Sequence, residues 1–245
     1  GISKADSWID MTVLEDCLRE DLNERALRRI GVLNPLRLII DNYPENQEEE
    51  CYAPNHPQQP ELGKRTLSFT KTLYIDQDDF MENPSKGYFR LSPGAEVRLR
   101  YAYIVKCTSI IKNDRGQIEA IHCTYDPDTK SGTPGADARK VKGNIHWLST
   151  KYARSAEIRL YDRLFTQPYP DAGEQDFKTY LNPDSKKIVM AYLEPSLFEV
   201  QPEQIFQFER HGYFIADRVD TSPGKPVFNR AVTLRDTWGK IAGQG

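Results

Sequence analysis

The stretch Glu96-Val-Arg-Leu-Arg-Tyr-Ala-Tyr-Ile-Val-Lys106 decides the reading of the fold. Apolar and polar residues alternate along it, and a period of two is that of a half-buried strand. By parity Val97, Leu99, Tyr101, Tyr103 and Val105 share the core face, while Arg98 and Arg100 project together from the other. Two neighbouring guanidiniums suit phosphate oxygens or base edges. They equally suit carboxylates on an adjacent strand, and the pattern leaves both open.

The same period recurs to either side. Residues 65–76, 117–126, 144–149, 156–165 and 205–217 alternate or are rich in β-branched and aromatic side chains. Asn113-Asp-Arg-Gly116 is a hairpin signal. One helical pattern precedes the strands: Leu14, Cys17, Leu18 and Leu22 recur at helical spacing behind a Thr12–Glu15 capping box, with an end expected near Asn23 or Glu24. No amphipathic helix separates the strands, so the pattern reads as mainly all-β, with two antiparallel barrels or sandwiches behind a short helical connector. The expected division is 1–26 for the helical segment, 27–144 for a first barrel region, 145–226 for a second, and 227–245 for a strand-like tail returning to the first. Residues 127–143, polar and rich in Gly, Pro and Lys, read as a long loop.

The chain has 245 residues, 38% of them hydrophobic and 28% charged, with a net charge of −3. That balance argues against wholesale disorder and against a uniformly basic coat. No apolar run approaches the ~18 residues of a membrane span. The first residues have no secretory h-region and no initiator Met, so the chain reads as a portion of a longer protein. Cys17, Cys51, Cys107 and Cys123 are dispersed, as are the four histidines. They read as reduced thiols in a cytosolic protein without a metal site. Locally the charge is uneven. Residues 41–50 hold five carboxylates and no cation, whereas 86–106 hold five cations against Glu96, and 139–163 hold seven against Glu157 and Asp162. Such patches fit local contact with a polyanion, or an ordinary mixed-sign surface.

Phe206-Gln-Phe-Glu-Arg210 sets two aromatics on one face and Gln207 and Glu209 on the other. Gln, Glu and Arg together supply the donors and acceptors that read Watson–Crick edges of unstacked bases, though a hairpin's wet face has the same composition. Lys86-Gly-Tyr-Phe-Arg90 interleaves cations and aromatics, as base-stacking sites do. Nucleophile-elbow, Walker, dinucleotide and zinc-protease strings are absent, and no catalytic residue is expected.

Seven strings together resemble the glutaminyl-tRNA synthetase family: "LREDLNERALRRIGVLNPLRLIIDNY", "PNHP", "EVRLRYAYIVK", "RKVKGNIHWLS", "EIRLYDRLF", "FQFERHGYF" and "KPVFNRAVTLRDTW". The resemblance implies the anticodon-binding region of a class I enzyme, built from two antiparallel β-barrels. It implies tRNA-Gln as partner, with no DNA or membrane, a monomer, and a cytoplasmic location. It assigns Arg28, Gln207 and Arg210 to the middle anticodon base and places Asn23 near the anticodon. Arg90 falls to the third base, and Arg98, Arg100 and Glu209 to the first base and its backbone. Lys4 falls near the inside corner of the tRNA. Gly87 and Phe89 depart from the family's polar residue and lysine, which passes contacts there to Lys86 and Tyr88 or makes Phe89 a stacking surface. The family's HIGH and KMSKS-like strings are absent from these residues, so ATP with Mg belongs to another part of the parent enzyme and no cofactor is expected here. The alternatives are the equivalent region of an archaeal or eukaryotic-type glutamyl enzyme and a non-enzymatic RNA-binding β module.

Overall fold

Asp10 opens the N-terminal helix, Met11–Arg25, in a computed structural model that describes residues 10–235. Its Oδ1 accepts a hydrogen bond from the Thr12 amide at 2.8 Å. The cap therefore lies two residues before the expected Thr12, and Glu15 pairs with Arg19 at 3.3 Å instead of reaching back to close a box. The helix runs to Arg25, slightly past its expected end. Ala26 is extended there, and its amide closes the last turn on the Leu22 carbonyl. Leu22 and Ala26 bury against Tyr213 and Val232, which seats the helix on the second of two sheets.

From Leu27 to the last described residue the chain is strand and turn with five short 3-10 helices. One seven-stranded sheet has the spatial order Gly143–Ile145, Glu96–Leu99, Ile104–Lys112, Ile118–Asp126, Pro35–Ile40, Thr72–Asp76, Leu148–Ser149. The other runs Leu27–Arg29, Ile205–Phe208, Gly212–Ala216, Val227–Val232, Arg154–Tyr161, Lys186–Leu193, Gly31–Val32. In each sheet the two edge strands are nearly contiguous in the chain: only Ile30 separates one pair, and only His146 and Trp147 the other. Both sheets therefore curl, one into a nearly closed barrel and one into a half-barrel. The all-β, barrel-like expectation is met. The pairing is mixed, however, with four parallel pairs among the antiparallel ones in the described residues.

Each lobe has its own apolar centre. The first packs Trp147, Phe69, Tyr43 and Leu38; the second packs Phe206, Phe208, Phe214 and Phe228, with Phe208 stacked on Phe214 at 4.3 Å. A two-stranded ribbon, Glu49–Pro54 with Lys64–Phe69, contributes Cys51, Ala53 and Leu67 to the first centre.

The strand expected over Glu96–Lys106 is a hairpin. It stops at Leu99, turns through Tyr101 at φ 65°, and resumes at Ile104, with Glu96 opposite Lys106. Val97, Leu99, Tyr103 and Val105 are buried on both arms, so the alternation runs through the turn and conceals it. Arg98 and Arg100 consequently do not share a face. The expected strand 65–76 also breaks, at Thr70, whose hydroxyl hydrogen-bonds Ser149 Oγ at 2.7 Å. The Asn113–Gly116 turn forms as expected, with Gly116 in the left-handed region and its amide on the Asn113 carbonyl. The tail strand Val227–Val232 lies between Arg154–Tyr161 and Gly212–Ala216 in the second sheet and does not return to the first. Residues 27–32 likewise join the second sheet, although the chain division assigned them to the first region.

Charged groups join the lobes. Glu194, 1% exposed, accepts the Ile30 amide and Arg65 Nε at 2.8 Å each, with the Arg29 guanidinium 3.5 Å away. Arg65 stands on the ribbon of the first lobe, Glu194 at the end of a second-sheet strand. Removing one partner of such a buried set leaves an uncompensated charge. Glu194→Ala should lose about 3–5 kcal/mol of unfolding free energy in urea melts. Glu45→Ala, which breaks an exposed pair with Lys71, should lose less than about 1 kcal/mol.

Candidate RNA interface

The turn after the strand Ile205–Phe208 carries the site. Arg210 holds φ 72° and Gly212 φ 139°, and a Cβ on Gly212 would stand 2.5 Å from the Val232 carbonyl, so the turn needs glycine there. Three consecutive side chains of this turn reach into the first lobe. Glu209, 2% exposed, takes Arg100 Nη1 at 2.6 Å and the Tyr101 hydroxyl at 3.1 Å. Burial, followed by the Glu209 charge, pushes the Tyr101 phenol up to about 12. Arg210 forks onto the fully buried carboxylate of Asp79, which also meets Arg90 at 3.2 Å. His211 donates through Nε2 to Asp76 Oδ2 at 2.8 Å.

Asp76 is the pivot of a second cluster. His146 Nε2 lies 2.6 Å from the same Oδ2, and Oδ1 accepts the Leu33 and Asn34 amides. Among the described residues, Asp76, His146 and His211 are the group whose donor atoms approach closely enough to suggest a cation. Their geometry fits a hydrogen-bonded clasp better. Ligands around one zinc sit about 3.3 Å apart, and a ligating imidazole passes its other N–H to an acceptor. Here the nitrogens are closer to the carboxylate than that, and His146 Nδ1 is buried with no partner.

A separate group of polar side chains surrounds an open cavity of about 620 Å³ between the helix and the second sheet, lined in part by Cys17, Asn23, Gln207, Tyr213 and Leu234. Arg28 is not among the lining residues and is almost fully buried. Its Nη2 donates to both the side-chain and backbone oxygens of Asn23 at 2.9 Å, and Nη1 to the Ala26 carbonyl at 2.6 Å. Gln207 Nε2 donates to the Tyr213 hydroxyl at 3.0 Å, and that hydroxyl lies 3.5 Å from Asn23 Oδ1. Parallel pairing sets Arg28 directly beside Gln207, so the helix end and two strands converge here.

The structure thus divides the expected site residues. Asn23 and Gln207 line the cavity, and Arg28 is hydrogen-bonded to Asn23 and paired in register with Gln207. Arg210 and Arg90 meet at Asp79, and Arg100 and Glu209 meet each other in the seam. Arg98 is turned into the loop after residue 126, donating to the Thr129 and Ala136 carbonyls at 2.7 and 2.9 Å. Lys86 is exposed. Lys4 lies outside the described residues. At the expected departure, Phe89 is exposed and Lys142 Nζ sits 4.9 Å from its ring centroid. The acidic segment 41–50 is largely matched internally: Asp41 with His122, Glu48 with Lys151, Glu49 with Lys130 and two tyrosines.

Tyr213, Asp76, Asp79 and Glu194 were not singled out from the sequence. Hairpin register around Glu209–His211 places Tyr213 opposite Gln207 and was a readable signal. The carboxylates had none, since their partners lie far away in the chain.

Two family models match the chain, both described as the anticodon-binding domain of class I tRNA synthetases (E and Q), over residues 26–126 and 144–217. The chain belongs to that family. It is 70% identical over 240 residues to the glutamine–tRNA ligase of Nitrosomonas europaea, which spans 98% of this chain and 43% of that protein. The glutamine–tRNA ligases of Cupriavidus metallidurans and Cupriavidus taiwanensis are 62% and 61% identical, over 98% of this chain and 41% of each. The chain therefore spans about two fifths of the length of these relatives. The boundary between the two matched segments is not that between the lobes: the first segment includes Leu27–Arg29 and Gly31–Val32 of the second sheet, and the second includes Leu148–Ser149 of the first.

The clasp sets an acid dependence. Burial pushes the Asp76 carboxyl up, but hydrogen bonds and charges from His146 and His211 more than reverse this and hold it well below the usual carboxylate range. A carboxyl depressed in the folded state contributes stability above its unfolded pKa of about 4 and loses that contribution as pH falls further. Asp76→Asn should lower unfolding free energy by about 2–3 kcal/mol at neutral pH. It should also flatten the acid side of the stability profile below about pH 4, measured by urea melts across pH.

Proposed function

We propose that this chain is the anticodon-recognition portion of a glutamine–tRNA ligase and that its partner is tRNA-Gln. The observation that carries this reading is that Asn23 and Gln207 line one cavity, with the buried Arg28 hydrogen-bonded to Asn23 behind it, on a chain whose family is defined by anticodon binding. An unpaired base is read by fixed donors and acceptors on its Watson–Crick edge, and a wrong base leaves those groups unmatched. Gln207, on the cavity wall with Arg28 beside it, would hold the middle anticodon base.

Arg90 and Lys86, on one exposed segment, would meet the third base, with Phe89 and its Lys142 partner offering an aromatic and cationic surface beside them. Arg100 keeps part of its guanidinium exposed over Glu209 and would face the first base and its backbone. Arg210 and Arg98 would act at the same surface while tied to Asp79 and to loop carbonyls. Lys4 would approach the inside corner of the tRNA. The parent enzyme would use ATP with Mg to form a glutaminyl adenylate and transfer glutamine to the tRNA 3′ end, chemistry this reading assigns to another part of that enzyme. The reading also carries a cytoplasmic monomer that binds neither DNA nor membrane; no helix among the described residues is long and apolar enough to cross one.

Fluorescence anisotropy with labelled tRNA-Gln at fixed salt tests the pocket. Arg28→Ala and Gln207→Ala should each cost about 1–3 kcal/mol in binding the cognate RNA and remove discrimination at the middle base. Equal binding of all anticodon variants by the unaltered protein, falling steeply with salt, would leave only an electrostatic platform.

A further inference from the structure

We infer that the Tyr213 hydroxyl is a positioning group that fixes which end of the Gln207 amide faces the cavity, and so sets the base preference of the pocket. The inference rests on the pocket reading above and deepens it. Tyr213 is 3% exposed, its ring packed with Leu22, Ala26 and Val232, so the phenol is held at the cavity wall by helix and sheet together.

The polarity of the chain of hydrogen bonds follows from the partners. Asn23 Oδ1 is an acceptor only, and it already takes Arg28 Nη2 at 2.9 Å. Tyr213 Oη, 3.5 Å from that oxygen, can approach it only as the donor. With its proton turned toward Asn23, the hydroxyl oxygen accepts from its other neighbour. That neighbour is Gln207, whose Nε2 lies 3.0 Å away. The amide nitrogen is therefore turned toward Tyr213, and Oε1 is the amide atom left for a ligand. Reversing the amide would draw the tyrosine proton away from Asn23 Oδ1 to the Gln207 oxygen.

An acceptor presented to the cavity favours a base edge carrying an imino N–H. Uracil offers N3–H there, whereas cytosine offers a bare N3 lone pair. Without the hydroxyl, Gln207 would lose the partner that distinguishes its two ends, and an amide free to flip can satisfy either edge. Arg28 contributes through Asn23: pinned by three acceptors of the helix end, it keeps Asn23 Oδ1 in place and so favours the tyrosine proton pointing toward it.

The test uses the whole chain in four forms: unaltered, Tyr213→Phe, Gln207→Ala and the double variant. Each is titrated at one salt concentration with anticodon stem-loop RNAs of tRNA-Gln carrying uridine or cytidine at the middle position. The unaltered protein is expected to prefer uridine by about tenfold or more, and Tyr213→Phe to reduce that ratio to within roughly threefold. The double variant should match Gln207→Ala, since the hydroxyl acts through the amide. A purely structural tyrosine would weaken both RNAs alike and keep their ratio, and that result overturns the inference. If Gln207→Ala abolishes the preference while Tyr213→Phe retains it, the pocket reading stands and this inference falls. If the unaltered protein shows no middle-base preference, both fall together.

Discussion

The turn Glu209-Arg210-His211 is the constraint on which the rest of the interface depends. Three adjacent side chains from the second lobe each find an opposite partner in the first: Arg100, Asp79 and Asp76. Glu209 and Asp79 are almost completely buried, so each charge is stable there only with its partner in place. The strand before this turn carries Gln207 and the strand after it carries Tyr213. Locking the turn to the first lobe therefore also fixes the register of the hairpin that walls the cavity.

The same arrangement separates two jobs that look alike in the sequence. Arginines within basic, aromatic-rich strings are natural RNA contacts, yet several here have their guanidiniums committed to the protein. Arg98 holds a loop, Arg210 holds Asp79, and Arg65 joins Glu194 to Glu209. Arg28 is nearly buried and spends its donors on the end of the helix. Basic character in these strings serves first to assemble a surface from two lobes and only then to meet a polyanion. This accounts for a chain that is slightly acidic overall yet belongs to an RNA-binding family.

Much of the fold was legible because period-two alternation reports a buried face directly. What it could not report was where a strand turns. At Arg100–Tyr103 and at Thr70 the apolar residues on both arms face one core, so parity continues across a break in the ladder. Parallel pairs were invisible for a related reason: the partners of Leu27–Arg29 and Glu96–Leu99 are supplied by distant segments whose own patterns look the same in either direction. At the site, Asn23, Arg28 and Gln207 were named from the strings that carry the family likeness. The carboxylates that receive the arginines were not, because burial of an aspartate such as Asp79 depends on tertiary neighbours and leaves no local mark.

Cross-linking would test the central claim most directly, that the cavity between helix and hairpin receives the middle anticodon base. A tRNA-Gln carrying 4-thiouridine at that position alone would be irradiated in complex with the chain and the adduct mapped by mass spectrometry. The account predicts attachment within the segments that line the cavity, around Cys17–Asn23 or Gln207–Tyr213. Attachment to the 86–90 segment or to the 127–143 loop, with those two segments unlabelled, would contradict it.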